Sequence, residues 1–119
     1  MKRSFTTLTD ATLITAVVQQ GYGEIIADAL LEVGIEGSTV HGAMGVGIRE
    51  KLGALGVAVD AERDVVNVMG SSDEVDRVFE RVFLAGKLDT PGMGFMYATP
   101  LMQAATYVPP SILSKYVGS

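Results

Sequence analysis

The sequence predicts an α+β fold, a four-stranded antiparallel sheet with two helices on one face, and three observations carry that expectation. Four short stretches are rich in β-branched or aromatic residues, and two longer ones repeat their apolar residues at helical spacing. The order strand, helix, strand also occurs twice, with a loop between the halves. At 119 residues the chain is read as a single domain, 1–119, with a core over about 11–101 and a C-terminal extension over 102–119.

The first strand is expected at 13–18, Leu-Ile-Thr-Ala-Val-Val, bounded by Gln19-Gln20-Gly21. Tyr22, Ile25, Ile26, Ala29, Leu30 and Val33 then recur at helical spacing, Glu24, Asp28 and Glu32 take the opposite face, and Gly34 supplies a left-handed stop. The segment 38–44 opens with β-formers and runs into Gly45 and Gly47, which fits a second strand leading into a loop. Between 48 and 63 mixed charge replaces apolar period, so this segment is expected to be an exposed excursion. The third strand is 64–69, Asp-Val-Val-Asn-Val-Met. Ser71 with Glu74 three residues later reads as a capping box opening a second helix, whose stripe is Val75, Val78, Phe79, Val82 and Phe83 and whose stop is Gly86. A turn-rich loop with Pro91, Gly92 and Gly94 precedes the fourth strand at 95–99. The whole is the βαββαβ order of a ferredoxin-like sandwich. Beyond Pro100 the tail, with Pro109-Pro110, is open to either a short helix or a strand.

Composition narrows function. The net charge of −5 and the lack of clustered Lys and Arg exclude nucleic acid as an expected partner. There is no cysteine for a disulfide, a thiolate metal site or a nucleophile. Ser4 to Asp10 is too polar for a secretory signal, and no apolar run approaches the roughly 20 residues of a membrane span, so a soluble, cytoplasmic protein is expected. A hydrophobic content of 48% is high for a monomer of this size and points to apolar surface buried between subunits.

Chemistry-bearing residues are sparse. His41 is the single histidine, and without carboxylates at ligand spacing a core or interface role outweighs a metal or base role. Met44, Met69, Met93, Met96 and Met102 suit core filling better than soft-metal binding. No paired general acid and base stands at recognisable spacing, so an enzyme is not expected, although the fold alone would admit a small ferredoxin-like one. Two glycine-rich pieces, Gly42-Ala43-Met44-Gly45-Val46-Gly47 and Gly92-Met93-Gly94, fit either backbone approach to a phosphate or turns that need positive φ.

Taken together, Leu30-Leu31-Glu32-Val33-Gly34-Ile35-Glu36-Gly37-Ser38-Thr39-Val40, Gly45-Val46-Gly47 and Gly92-Met93-Gly94-Phe95-Met96-Tyr97-Ala98-Thr99-Pro100-Leu101 resemble the PII signal-transduction family. The resemblance runs from about Leu13 to Leu101. It implies a homotrimer that binds a small-molecule effector, an adenine nucleotide, in clefts between subunits and controls a membrane transporter or an enzyme through a long T-loop. On this chain the T-loop would be 48–63, with Gly45, Gly47 and Arg49 at its base, Met69 near the adenine, and Gly92, Met93, Gly94 and Phe95 in the B-loop. The chain departs from the family's pattern at its charged positions. Phe95 stands where the family has a phosphate-binding lysine, Met93 replaces an aspartate, Arg49 replaces the glutamine that helps hold Mg²⁺, and Thr106 and Val108 fall where two arginines contact phosphate. With Lys87, Arg49 and Lys51 as the nearest substitutes, the implied ligand shifts from ATP–Mg²⁺ toward AMP or ADP. The alternative is a protein-interaction module that has lost nucleotide binding.

Overall fold

The computed structural model describes residues 7–45 and 61–105, along which run β1 (Thr7–Leu8), β2 (Ala11–Gln19), α1 (Tyr22–Glu32), β3 (Thr39–Gly45), β4 (Ala61–Ser71), α2 (Val75–Ala85), β5 (Gly94–Leu101) and β6 (Ala104–Ala105). The long strands form one four-stranded sheet in the order β3-β4-β2-β5, and every neighbouring pair is antiparallel. This is the α+β, ferredoxin-like architecture expected from the sequence. β1 and β6 add a small second sheet, in which Thr7 pairs with Ala105 and Leu8 with Ala104.

Side chains alternate across a strand, so residues paired in register share a face. Ile14, Ala16 and Val18 of β2 and Val66 and Val68 of β4 point into the buried core with Ile26 and Leu30 of α1 and Val78 and Val82 of α2. Met96 of β5, opposite Ala16, packs against the same cluster. The opposite face carries Leu13, Thr15 and Val17 of β2, Val65, Asn67 and Met69 of β4, Phe95, Tyr97 and Thr99 of β5, and Thr39 and His41 of β3. Neither helix covers this face. On it the Thr15 hydroxyl donates to Asn67 Oδ1 at 2.8 Å.

Several ends differ from expectation for local reasons. β5 runs through Pro100, because at the sheet's edge the missing N–H costs no ladder bond. Ser71 and Glu74 do engage, the Ser71 N–H and hydroxyl donating to Glu74 Oε1 at 3.3 and 3.0 Å, but they brace the turn before α2, and the helix begins at Val75. Gly86 keeps right-handed backbone at the end of α2, and Lys87 takes the left-handed conformation, φ 53°. Gly86 has a packing reason instead: a Cβ there would lie 3.2 Å from the Ile26 Cδ1 of α1. The last part of the expected 48–63 excursion is strand, since β4 begins at Ala61; the rest of it lies outside the described residues. The tail beyond 105 lies outside them as well.

Candidate functional site

One end of the main sheet gathers the features of interest. There β2 finishes at Gln19, which pairs in register with Arg63 of β4, which in turn pairs with Ala43 of β3. The chain turns at Gly21, φ 96°, into α1, and Asp64 holds that turn: its Oδ2 accepts from the N–H groups of Gly21 at 2.9 Å and Gly23 at 3.0 Å. A carboxylate from a neighbouring strand thus satisfies the first amides of the helix, where no side chain of α1 itself caps them. The N-terminus of α1 is therefore already occupied by a protein anion.

The glycine turn before β5 lies across β2 from Arg63. Gly92, φ 84°, is a turn glycine with open space around its Cα, and its carbonyl accepts from Gln19 Nε2 at 3.3 Å. The Gln19 N–H donates to the Met93 carbonyl at 3.2 Å, and Met93 is buried. Gly94, φ 135°, is fixed by packing, since a Cβ would stand 2.0 Å from the Val17 carbonyl oxygen. Phe95 follows, 53% exposed, stacked on Tyr97 with ring centroids 6.3 Å apart. Of the residues singled out from the sequence, the structure brings Gly92, Met93, Gly94 and Phe95 to this end of the sheet and places Gly45 at the end of β3 on the same side. Lys87 is exposed just past α2. Met69 is six residues along β4 from Arg63, about 20 Å at strand rise, and belongs to the other end. Gly47 and Arg49 lie outside the described residues.

Arg63 was counted in the sequence with the exposed excursion, yet it is only 5% exposed. Its Nε is buried and makes no hydrogen bond, and the side chain has no ion pair among the described residues. A buried guanidinium normally sits against a carboxylate or phosphate, because desolvating an unpaired charge is costly. Arg63 lines a cavity of about 370 Å³ together with Gln20, Gly42, Ala43 and Glu62. The cavity thus offers a cation, a carboxylate at Glu62, an amide and the glycine backbone of Gly42. The sequence signal that could have found it is the pair Arg63-Asp64 at the mouth of a β-branched strand, where a charge belongs either to the loop or to a site.

A second hollow of about 450 Å³ lies between the helices, lined by Ile25, Asp28, Ala29, Glu32, Arg81 and Leu84 among others. Its arginine is engaged: Arg81 Nε donates to the Ala29 carbonyl at 3.1 Å and Nη2 to Glu32 at 2.9 Å. That geometry is a bracket between α1 and α2. Among the described residues no three His, Cys, Asp or Glu side chains converge as metal ligands, and no helix is long and apolar enough to cross a membrane.

No family model matches the chain, and no curated protein matches it. Among solved structures it is similar to the PII protein of Arabidopsis thaliana bound to citrate, at 19% identity over 78% of each chain and a TM-score of 0.64. At that identity the likeness is one of fold, and the chain therefore has the fold of a PII protein.

Proposed function

We propose that this chain is a PII-like regulatory protein and not an enzyme: a homotrimer that takes a small anionic effector at the Arg63 end of the sheet and controls a protein partner, a transporter or an enzyme, through the segment between β3 and β4. The observation that carries this reading is Arg63, buried to 5% exposure at the wall of a cavity, with its Nε lacking a hydrogen-bond partner among the described residues. An oxyanion there would supply the charge-assisted hydrogen bond that the described residues do not give Nε. The similar PII fold was solved with citrate, which supports a small carboxylate as one class of effector. AMP or ADP is the other. In this reading Gly45, Gly47, Arg49, Lys87, Gly92, Met93, Gly94 and Phe95 form the surrounds, and Met69 lies too far along β4 to share a contact with Arg63. The apolar sheet face left open by the helices supports assembly.

Calorimetric titration with citrate, inorganic phosphate, AMP, ADP and ATP tests the proposal. Binding of at least one of these, lost in Arg63→Gln, is the expected result. If ATP exceeds AMP by a hundredfold or more, cations beyond Arg63 must engage the added phosphates. If none binds, the effector site is wrong and the interaction-module reading takes its place.

A further inference from the structure

The exposed face of α1 carries charges that its own helix does not favour. Glu24, Asp28 and Glu32 stand one turn apart at exposed positions, and α1 holds no lysine or arginine to separate them. Like charges four residues apart destabilise a helix, and an acid in the last turn opposes the macrodipole. Glu24, in the first turn, suits the dipole, and Glu32 is answered from α2 by Arg81 at 2.9 Å. Asp28 has neither compensation among the described residues.

Beside this acidic ridge lies the hollow between the helices, whose apolar lining is Ile25, Ala29, Leu84 and Ala85. Ile25 is 50% exposed and Leu84 65%, so each helix leaves a large apolar side chain in water at the same hollow. Glu80, also exposed, stands one turn before Leu84 on α2 and carries the acidic rim to that side. The cations of α2 do not neutralise the rim. Arg81 is held by Glu32 and the Ala29 carbonyl, and Arg77 lies two turns from Leu84, 4.0 Å from Glu74.

From this apolar trough and its acidic rim we infer that the hollow between α1 and α2 docks a cationic amphipathic helix of a partner protein. Such a helix lays its apolar stripe into a groove and keeps its polar face at the rim. Lys or Arg beside that stripe would meet Glu24, Asp28 and Glu80 and relieve the repulsion that α1 carries alone. The same charge turns away nucleic acid and anionic lipid, whose phosphates share the sign of the rim, and a second copy of a chain at −5. The hollow shares no lining residue with the Arg63 cavity, so the surface stands whether or not an effector binds there.

Titration of the full chain with a synthetic helix of about four turns, leucine on one face and lysine on the other, tests the docking. Saturable binding, one peptide per chain, is expected. A peptide of the same composition with its leucines scattered should bind at least about tenfold more weakly. Leu84→Ser and Asp28→Lys should each weaken binding by about tenfold or more, whereas Glu36→Lys should not, although it changes the net charge equally from an exposed place between α1 and β3. Asp28→Lys should at the same time raise the urea midpoint, because a lysine there gains Glu24 and Glu32 as partners one turn to either side. Tighter folding with weaker binding is the signature of a carboxylate kept for a partner. Absence of binding overturns the inference, as does equal binding of the scattered peptide or equal weakening by Glu36→Lys, either of which would leave only a general attraction of opposite charges. A lowered midpoint in Asp28→Lys would mean that the carboxylate serves the fold, and the case for a partner fails there too. If Leu84→Ser lowers the mass of the protein alone by sedimentation, a second copy fills the hollow and the partner helix is ruled out.

Discussion

Arg63 concentrates the tension between stability and function at a single residue. The residue is buried and its Nε has no hydrogen-bond partner among the described residues, so replacing it by an apolar chain of similar length should relieve a desolvation cost. Arg63→Met is expected to raise the stability of the unliganded protein by about 1–3 kcal/mol, read as a higher urea midpoint with unchanged slope, while abolishing stabilisation by citrate or nucleotide. A destabilised Arg63→Met would mean that the guanidinium is satisfied within the protein. Gly94 makes the opposite case, a glycine that the packing itself requires. Its positive φ and the Val17 carbonyl 2.0 Å from any added Cβ leave no room for a side chain. Gly94→Ala should cost about 3 kcal/mol or more, whereas Gly92→Ala, with open space around it, should cost only about 1 kcal/mol of backbone strain. Thermal melts of the two variants compared with wild type check that ranking.

At the scale of elements, the helix periods and β-branched runs were legible because each reports a face buried by its own neighbours. Ile26, Leu30, Val78 and Val82 are buried as their spacing implied, and β2 and β4 supply the strand half of the same core. What the sequence hid depends on contacts between distant residues. The cap of α1 comes from Asp64, some forty positions away, and no local pattern announces it. Arg63 was hidden for a related reason: one residue from a loop, a charge looks solvated until the neighbouring strands bury it. β1 and β6, two residues each, are too short for any period to register. The Asp64 cap yields its own prediction. Asp64→Ala removes the acceptor for two helix amides and should cost about 1–2 kcal/mol, with Asp64→Asn retaining part of it. Loss of protection at the Gly21 and Gly23 amides in hydrogen exchange would locate the effect at the start of α1. Removing Arg81 from its exposed pair with Glu32 should matter less, within about 1 kcal/mol.

For the whole molecule, the two faces of one sheet are asked to do different things. The helix-covered face holds the core of a single copy, and the uncovered face presents Leu13, Val17, Val65 and Met69 beside an exposed aromatic pair. Val17 sits at the middle of that face, paired with Phe95 on one side and Val65 on the other. In the proposed assembly Val17→Asp should therefore separate the copies, because a carboxylate buried between copies of a chain already at −5 would be desolvated and repelled. The fold should survive, since Ile14, Ala16, Val18, Val66 and Val68 on the other face are untouched. Sedimentation equilibrium would then give a monomer whose circular dichroism matches wild type; an unchanged oligomer would show that this face is not where copies meet. The same variant separates two places for the effector. Val17 lies on the strand whose next odd-numbered position, Gln19, pairs with Arg63, so a cleft shared between copies loses its second wall when the copies part. A Val17→Asp monomer that binds citrate or AMP as tightly as wild type would confine the site to one chain, whereas a loss of about tenfold or more in affinity, with Arg63 and the fold intact, would place it between them.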